Sequence, residues 1–237
     1  MKLGMMQPYF FPYLGYFSLI QYSDYFVLSD NVQYINKGWI NRNRILKQNQ
    51  DFMYINIPLI KHPFNTTISN IEIDNSVNWQ SLMLKNLQHY KKKAPYYNQA
   101  MDVIKNTLDT NTKSITKLNE AGLINVCNYV EIDFKHGIYS ELNLRTQSVS
   151  SPDEWALMTA IELGFDEYVN PPGGINIYNK NKYEENNIKL TFLKNNLPFY
   201  IQRRGKENFV NGLSIIDVMM FNPKEKIKEM INDYTLL

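Results

Sequence analysis

The sequence predicts a mixed α/β fold built on a mostly parallel sheet, with a central helical segment at 78–129. Three observations predict it. The first 30 residues read strand, loop, helix, strand, a βαβ opening that favours parallel pairing and a right-handed crossover. After residue 78 the apolar residues recur at helical intervals over three successive segments. Beyond residue 151, helix and strand patterns alternate again. At 237 residues the chain has the length for one domain spanning 1–237, burying roughly three quarters of its unfolded surface.

Residues 2–6 form the first expected strand. "MQPYFFPYLGYF", 6–17, follows as a loop stiffened by Pro8 and Pro12, and "YLGYFSLIQYS" starts a helix with Leu14, Phe17, Leu19 and Ile20 on its apolar face. "DYFVLSD", 24–30, is a buried strand. "NVQYINKGWINRNRIL", 31–46, is polar, turn-forming and basic, and "DFMYINIPLI" alternates like a third strand ending at Pro58. "ISNIEID" reads as a further strand. "NWQSLMLKNLQHYKKKA" is a helix with Trp79, Leu82, Met83 and Leu87 on one face and a solvated Lys91–Lys93 end.

"APYYNQAMDVIKNTL" and "SITKLNEAGLINVCNYV" are the next two helices, the second carrying Cys127 as a buried, inert thiol. "EIDFKHGI", 131–138, returns as a strand ending near His136. "SPDEWALMTAIELGF", 151–165, opens with a Ser or Asp cap and Pro152 in the first turn, and stops at Gly164. "DEYVNPPGGINIY", "IKLTFLKN" and "PFYIQ" alternate strands with turns, and "LSIIDVMMF" and "PKEKIKEMIND" finish the chain in helix.

Composition narrows the function. Charged residues make up 20% and the net charge is +2, so no whole-molecule field for nucleic acid or a membrane surface exists and nucleic acid is not an expected partner. A single cysteine excludes a disulfide framework, and no apolar run is long enough to insert in a membrane, so the expected home is the cytoplasm. The three histidines, His62, His89 and His136, are far apart and outline no metal site. P-loop, dinucleotide-glycine, zinc-helix and nucleophile-elbow signatures are absent, and no cofactor is indicated.

Three stretches break their local pattern, and they are where chemistry is expected. The aromatic loop occupies the carboxyl end of the first strand, the position where parallel sheets bind ligands, with Gln7 able to donate and accept hydrogen bonds there. Tyr9 and its neighbouring rings are either a stacking surface or a lid over the core. In "KGWINRNR", alternate residues of an extended segment share a side, so Arg42 and Arg44 would grip a diphosphate or carboxylate together, beside Lys37 and a stacking Trp39. Gln33 and Asn41 belong to the same binding set. In "YVNPPGGINIY", a stiff Pro171-Pro172 bend precedes Gly173 and Gly174, whose amides would face an anion beside Asn170. The basic Arg203, Arg204 and Lys206 read as a solvated loop. Candidates for the general base are His136, Asp30 and Asp217.

Taken together, "MQPYFFPYLGYFSLIQYSDYFVLSDNVQYINKGWINRNRI", "LGFDEYVNPPGGINIY" and "FVNGLSIIDVMMFN" resemble, in order and spacing, the WbqC-like family of bacterial proteins over essentially the whole chain. Met6 stands where many relatives have His, and Asn170 to Gly174 stand where many have Ser-Gly-x-Gly-Gly. The resemblance implies a place in O-antigen and surface polysaccharide assembly and leaves the reaction open. A more distant likeness, in the strand, proline loop and helix start, is to nucleotidyltransferases of Rossmann type, though the ATP-binding His-x-Gly-His motif is missing. The expected function is a transferase modifying a nucleotide-linked amino sugar by N-acylation or aminoacylation. The alternatives are an ATP-dependent nucleotidyl or adenylate-forming transferase and a non-catalytic sugar-nucleotide-binding protein. The oligomeric state is left open.

Overall fold

The computed structural model describes residues 1–237 apart from 48, 49, 146–148, 150, 152 and 203–208. Pro152 and the basic residues Arg203, Arg204 and Lys206 therefore lie outside the described residues.

The main sheet takes its strands from both ends of the chain: β1 (Lys2–Met6), β2 (Tyr25–Leu28), β5 (His136–Ile138), β6 (Glu167–Asn170), β7 (Lys189–Asn195) and β8 (Tyr234–Leu236). In space they run β5-β2-β1-β6-β7-β8, parallel except for the antiparallel β7–β8 pair. Ranked by appearance within the sheet, that order is 3-2-1-4-5-6, the order of doubly wound sheets. Its reversal falls between β1 and β6: the chain first builds outward through β2 and β5, then returns and builds the other way.

Alternation of side chains along the strands divides the core into two faces. Leu3, Met5, Val27, Tyr168 and Leu190 pack with α5 (Glu154–Leu163) and α6 (Lys180–Glu185) through Ala156, Leu157, Ala160 and Tyr183. Phe26, Leu28, Ile138, Val169 and Leu193 face the larger cluster, which holds α1 (Leu14–Tyr22), α3 (Tyr97–Leu108), α4 (Ile115–Val130), α7 (Ile215–Phe221) and α8 (Lys224–Ile231). The βαβ opening and the parallel sheet are as the sequence predicts, and α5 stops at Gly164, whose φ of 74° is the left-handed cap that glycine accepts without strain. Cys127 is buried, and burial pushes its thiol pKa far up.

Several elements differ from expectation. The segment ending at Pro58 is not a third strand of the main sheet: β3 (Arg42–Lys47) and β4 (Gln50–Asn56) pair with each other as a separate antiparallel hairpin. "ISNIEID" makes a 3-10 turn and isolated bridges, with its isoleucines buried one by one. Leu82 of α2 (Trp79–Leu87) is 60% exposed, outside the face formed by Trp79, Met83 and Leu87. "PFYIQ" is irregular, α6 had no sequence signal, and the chain ends in β8. Among the described residues no helix is long and apolar enough to cross a membrane.

Candidate functional site

The aromatic loop after β1 holds its shape through buried polar side chains from three distant elements. Asn119 of α4 donates to Pro8 O at 2.7 Å, Asn43 of β3 donates to Phe10 O and Phe11 O at 2.9 Å each, and Ser214 donates its hydroxyl to Phe11 O at 2.6 Å. All three side chains are buried, so these bonds form where water cannot compete. The staples also let Phe11 keep a φ of 40°, a left-handed conformation uncommon for a bulky residue. The loop's rings then divide. Phe10, Phe11 and Phe17 are in the core, whereas Tyr9 and Tyr13 are half-buried and line a cleft. Phe10, Phe11 and Phe17 therefore form the lid over the core, while Tyr9 and Tyr13 stay at the surface of the cleft.

That cleft opens beyond the carboxyl ends of β1 and β6, at the point where the strand order reverses. One lobe, about 430 Å³, is lined by Tyr9, Tyr13, Trp39, Arg44, Pro172 and Leu197, among others. A second lobe, about 340 Å³, shares Met6, Tyr9, Pro171 and Gly173 with the first and adds Gln7, Ser29, Trp155, Asn170 and Tyr178. The aromatic loop, the turn leading into the β3–β4 hairpin and the Pro-Pro-Gly-Gly bend therefore meet in one place. Crevices at such reversal points are the ligand positions of open parallel sheets.

Arg44 is the charged side chain of the first lobe. Its Nη2 donates to Gly212 O at 3.0 Å, its guanidinium lies 5.5 Å from the Trp39 ring centre and 5.1 Å from that of Phe52, and its Nε is buried without a hydrogen-bond partner among the described residues. Arg42 does not join it. Its Nε donates to Gly38 O at 3.2 Å, its Nη2 bonds Lys37 O, and it stacks 4.3 Å from Tyr54. The expected double-arginine grip is replaced by one arginine at the cleft and one that ties down the turn before β3. Lys37 is exposed in that turn, with a φ of 62°, and lines neither lobe. Gln33 and Asn41 face a different groove, about 820 Å³, where Gln33 donates to Phe64 O and Asn41 bridges Tyr34 OH and Ile57 O.

In the second lobe, Asn170 donates through Nδ2 to Tyr168 OH at 2.6 Å and Tyr178 OH at 3.3 Å, while no described group donates to its Oδ1. Gly173 and Gly174 sit in a 3-10 turn, Pro172–Gly174, and the Gly174 amide bonds Pro171 O at 3.0 Å rather than facing an anion. Burial raises the Tyr9 pKa, with Tyr13 adding to it, so both tyrosines meet a ligand as neutral phenols.

The three candidate bases stand outside both lobes. Asp30 is buried and accepts from Ser140 N at 3.0 Å and Ser140 Oγ at 2.7 Å; burial raises its pKa and those bonds oppose the rise. Asp217 is buried on α7 beneath Tyr90, Tyr200 and Gln202, and burial raises its pKa too. His136 begins β5 instead of ending a strand: it pairs with Phe26, itself level with Gly4, so it lies level with the middle of β1 and short of the carboxyl ends. Sequence reasoning missed Trp155, Tyr178 and Tyr13 as lining residues, along with the stapling Asn43, Asn119 and Ser214. Asn43 had a signal, since an amide flanked by two arginines in an alternating strand must point inward.

The strand order and the mostly parallel pairing define a mixed α/β protein with a doubly wound sheet. More specifically, the chain belongs to the WbqC-like protein family, whose model matches residues 7–229. It is also 26% identical over 227 residues to a Mycobacterium tuberculosis protein, Rv1507c, described as uncharacterized, with 93% of each chain covered. No solved structure matches the chain, so the likeness to nucleotidyltransferases gains no support beyond strand order.

Proposed function

We propose that the protein is a transferase that modifies a nucleotide-linked amino sugar by N-acyl or aminoacyl transfer in cell-surface polysaccharide synthesis. The observation that carries the reading is the Arg44 guanidinium, held between Trp39 and Phe52 at the mouth of a crevice at the sheet's reversal point. A fixed cation beside an aromatic face suits a diphosphate joined to a flat base: the guanidinium neutralises charge and the ring stacks. Backbone support from Gly212 O leaves the arginine pre-positioned.

Amine acylation also fits the absence of His136, Asp30 and Asp217 from the crevice. A neutral sugar amine is itself the nucleophile: it bonds the activated acyl carbon, the acyl carrier leaves with the bonding electrons and the amine's proton passes to that leaving group or to water, so holding the two together supplies much of the rate without a resident base. The same absence favours a second reading, a protein that binds the sugar nucleotide without turning it over. Incubation with uridine- and thymidine-diphosphate amino sugars plus acyl donors, followed by mass spectrometry, separates the two: a mass gain on the sugar supports the transferase, binding alone supports the second.

Arg44→Ala tests the site itself. Losing a charge-assisted contact costs about 1.5 kcal/mol or more, or about tenfold in affinity. Lys37→Ala, at an exposed residue outside both lobes, holds nucleotide affinity within about twofold. If Arg44→Ala binds as the parent does while its melting temperature is unchanged, diphosphate recognition at this cleft is wrong.

A further inference from the structure

The two lobes differ in charge, and the difference orients a ligand. Among the described lining residues, Arg44 is the one ionic side chain, and it belongs to the first lobe alone. The second lobe is walled by Trp155, Tyr178, Ile177 and Met5 and carries neutral hydrogen-bonding groups, Gln7, Ser29 and Asn170. Tyr9, Met6, Pro171 and Gly173 border both lobes, so one molecule can lie across the two.

We infer that the second lobe is the sugar subsite: an uncharged pyranose ring lies against Trp155 and Tyr178 while its phosphates remain in the first lobe with Arg44. This rests on the sugar-nucleotide reading above and deepens it by assigning each lobe a part of the substrate. A pyranose offers an apolar C–H face and a rim of hydroxyls. The face matches a half-buried indole, which packs edge-on against Tyr139 at 5.7 Å and so has a fixed plane. The hydroxyls match amide and hydroxyl side chains that both donate and accept.

Asn170 is the best-prepared of these groups. Its Nδ2 donates to the neighbouring hydroxyls of Tyr168 and Tyr178, which orients the amide and leaves Oδ1 as an acceptor for a sugar hydroxyl or amine N–H. Gly174 keeps that oxygen in place. A Cβ there would come within 2.2 Å of Asn170 Oδ1 and 2.8 Å of the Tyr178 ring. An acceptor that lines the cavity and has no donor among the described residues favours ligands that bring one.

The test is titration calorimetry with two matched pairs: uridine diphosphate against its glucosamine conjugate, and thymidine diphosphate against its glucosamine conjugate. In at least one pair the sugar conjugate binds about tenfold tighter than the bare diphosphate. The ratio of the two affinities collapses toward one in Trp155→Ala and in Ile177→Ala, whose exposed side chain makes it the safer variant to fold. Bare diphosphates that bind as tightly as their conjugates, or a ratio unmoved by both variants, overturn the sugar subsite while leaving the nucleotide reading intact. If neither diphosphate nor conjugate binds, the sugar-nucleotide reading itself falls, and the subsite with it.

Discussion

Two polar clusters in this protein are each assembled from distant parts of the chain, and they differ in how their hydrogen bonds close. Around Asp217 every carboxylate oxygen is filled: Oδ1 accepts from Tyr90 OH at 2.6 Å, and Oδ2 accepts from Tyr200 OH at 2.5 Å and Gln202 Nε2 at 3.0 Å. Tyr90 OH in turn accepts from Leu46 N at 2.9 Å, so the knot joins α7 to the hairpin and to the irregular 196–202 segment. At the sheet-edge cleft the bonds stop short, since among the described residues nothing donates to Asn170 Oδ1, and Asn170 lines the cavity. Saturated polar groups in a core hold elements together, whereas unsaturated ones beside a cavity are available to a ligand. The carboxylate that looked catalytic in the sequence is thereby structural.

The largest expected effect tests the closed cluster. Asp217→Ala leaves the Tyr90 and Tyr200 hydroxyls without their acceptor in a buried place, while Gln202 keeps Val210 O, and it costs about 3 kcal/mol or more in urea denaturation. Asp217→Asn keeps an acceptor oxygen and loses less. A wild-type urea midpoint for Asp217→Ala would break the comparison, because it would mean that the two hydroxyls find equal partners without the carboxylate.

Next in size is the open cluster. Gly174→Ala drives a methyl into Asn170 Oδ1 and the Tyr178 ring and costs about 1–3 kcal/mol, an overpacking loss. Gly173→Ala, one residue earlier, meets nothing within 4 Å and stays within about 0.5 kcal/mol. Equal stabilities for the two variants would show that the second lobe is looser than its hydrogen bonds indicate.

What was legible in the sequence followed from local physics. The βαβ opening could be read because periodicity and proline placement act within a few residues. "PFYIQ" could not, because its aromatic and amide side chains serve a carboxylate on α7, with Tyr200 and Gln202 both bonded to Asp217. Helix α6 escaped notice because its sequence, KNKYEE, is polar around a single buried ring, Tyr183, and it is fixed by the Asn179 cap and by Lys182 on Glu154. At the cleft the three unusual stretches were visible as rule-breakers, but the partition of Arg42 from Arg44 depends on which carbonyls the folded turn presents. Trp155 looked like one more apolar residue of an amphipathic helix.

The smallest effect concerns the remaining base candidate and is read by pH. His136 Nδ1 lies 3.1 Å from Phe134 O and Nε2 lies 3.0 Å from Glu120 Oε1, so both ring nitrogens face acceptors and the imidazolium is the favoured form. The Glu120 bond raises the His136 pKa against the effect of burial and of nearby Lys117, and the His136 bond lowers that of Glu120. A raised folded value means the histidine's share of stability is whole below its unfolded pKa, about 6.5, and fades as pH rises through the higher folded value. The glutamate's share is whole above about 4.3 and is lost as pH falls through its lower folded value. Between those limits the pair stabilises the fold by under about 1 kcal/mol, since both partners retain solvent contact. Urea midpoints should therefore decline on the alkaline side of about 6.5, and Glu120→Gln should flatten that decline. An unchanged slope in Glu120→Gln would show that the carboxylate does not hold the imidazolium, whereas a flattened slope makes His136 a charged strut outside both lobes of the cleft.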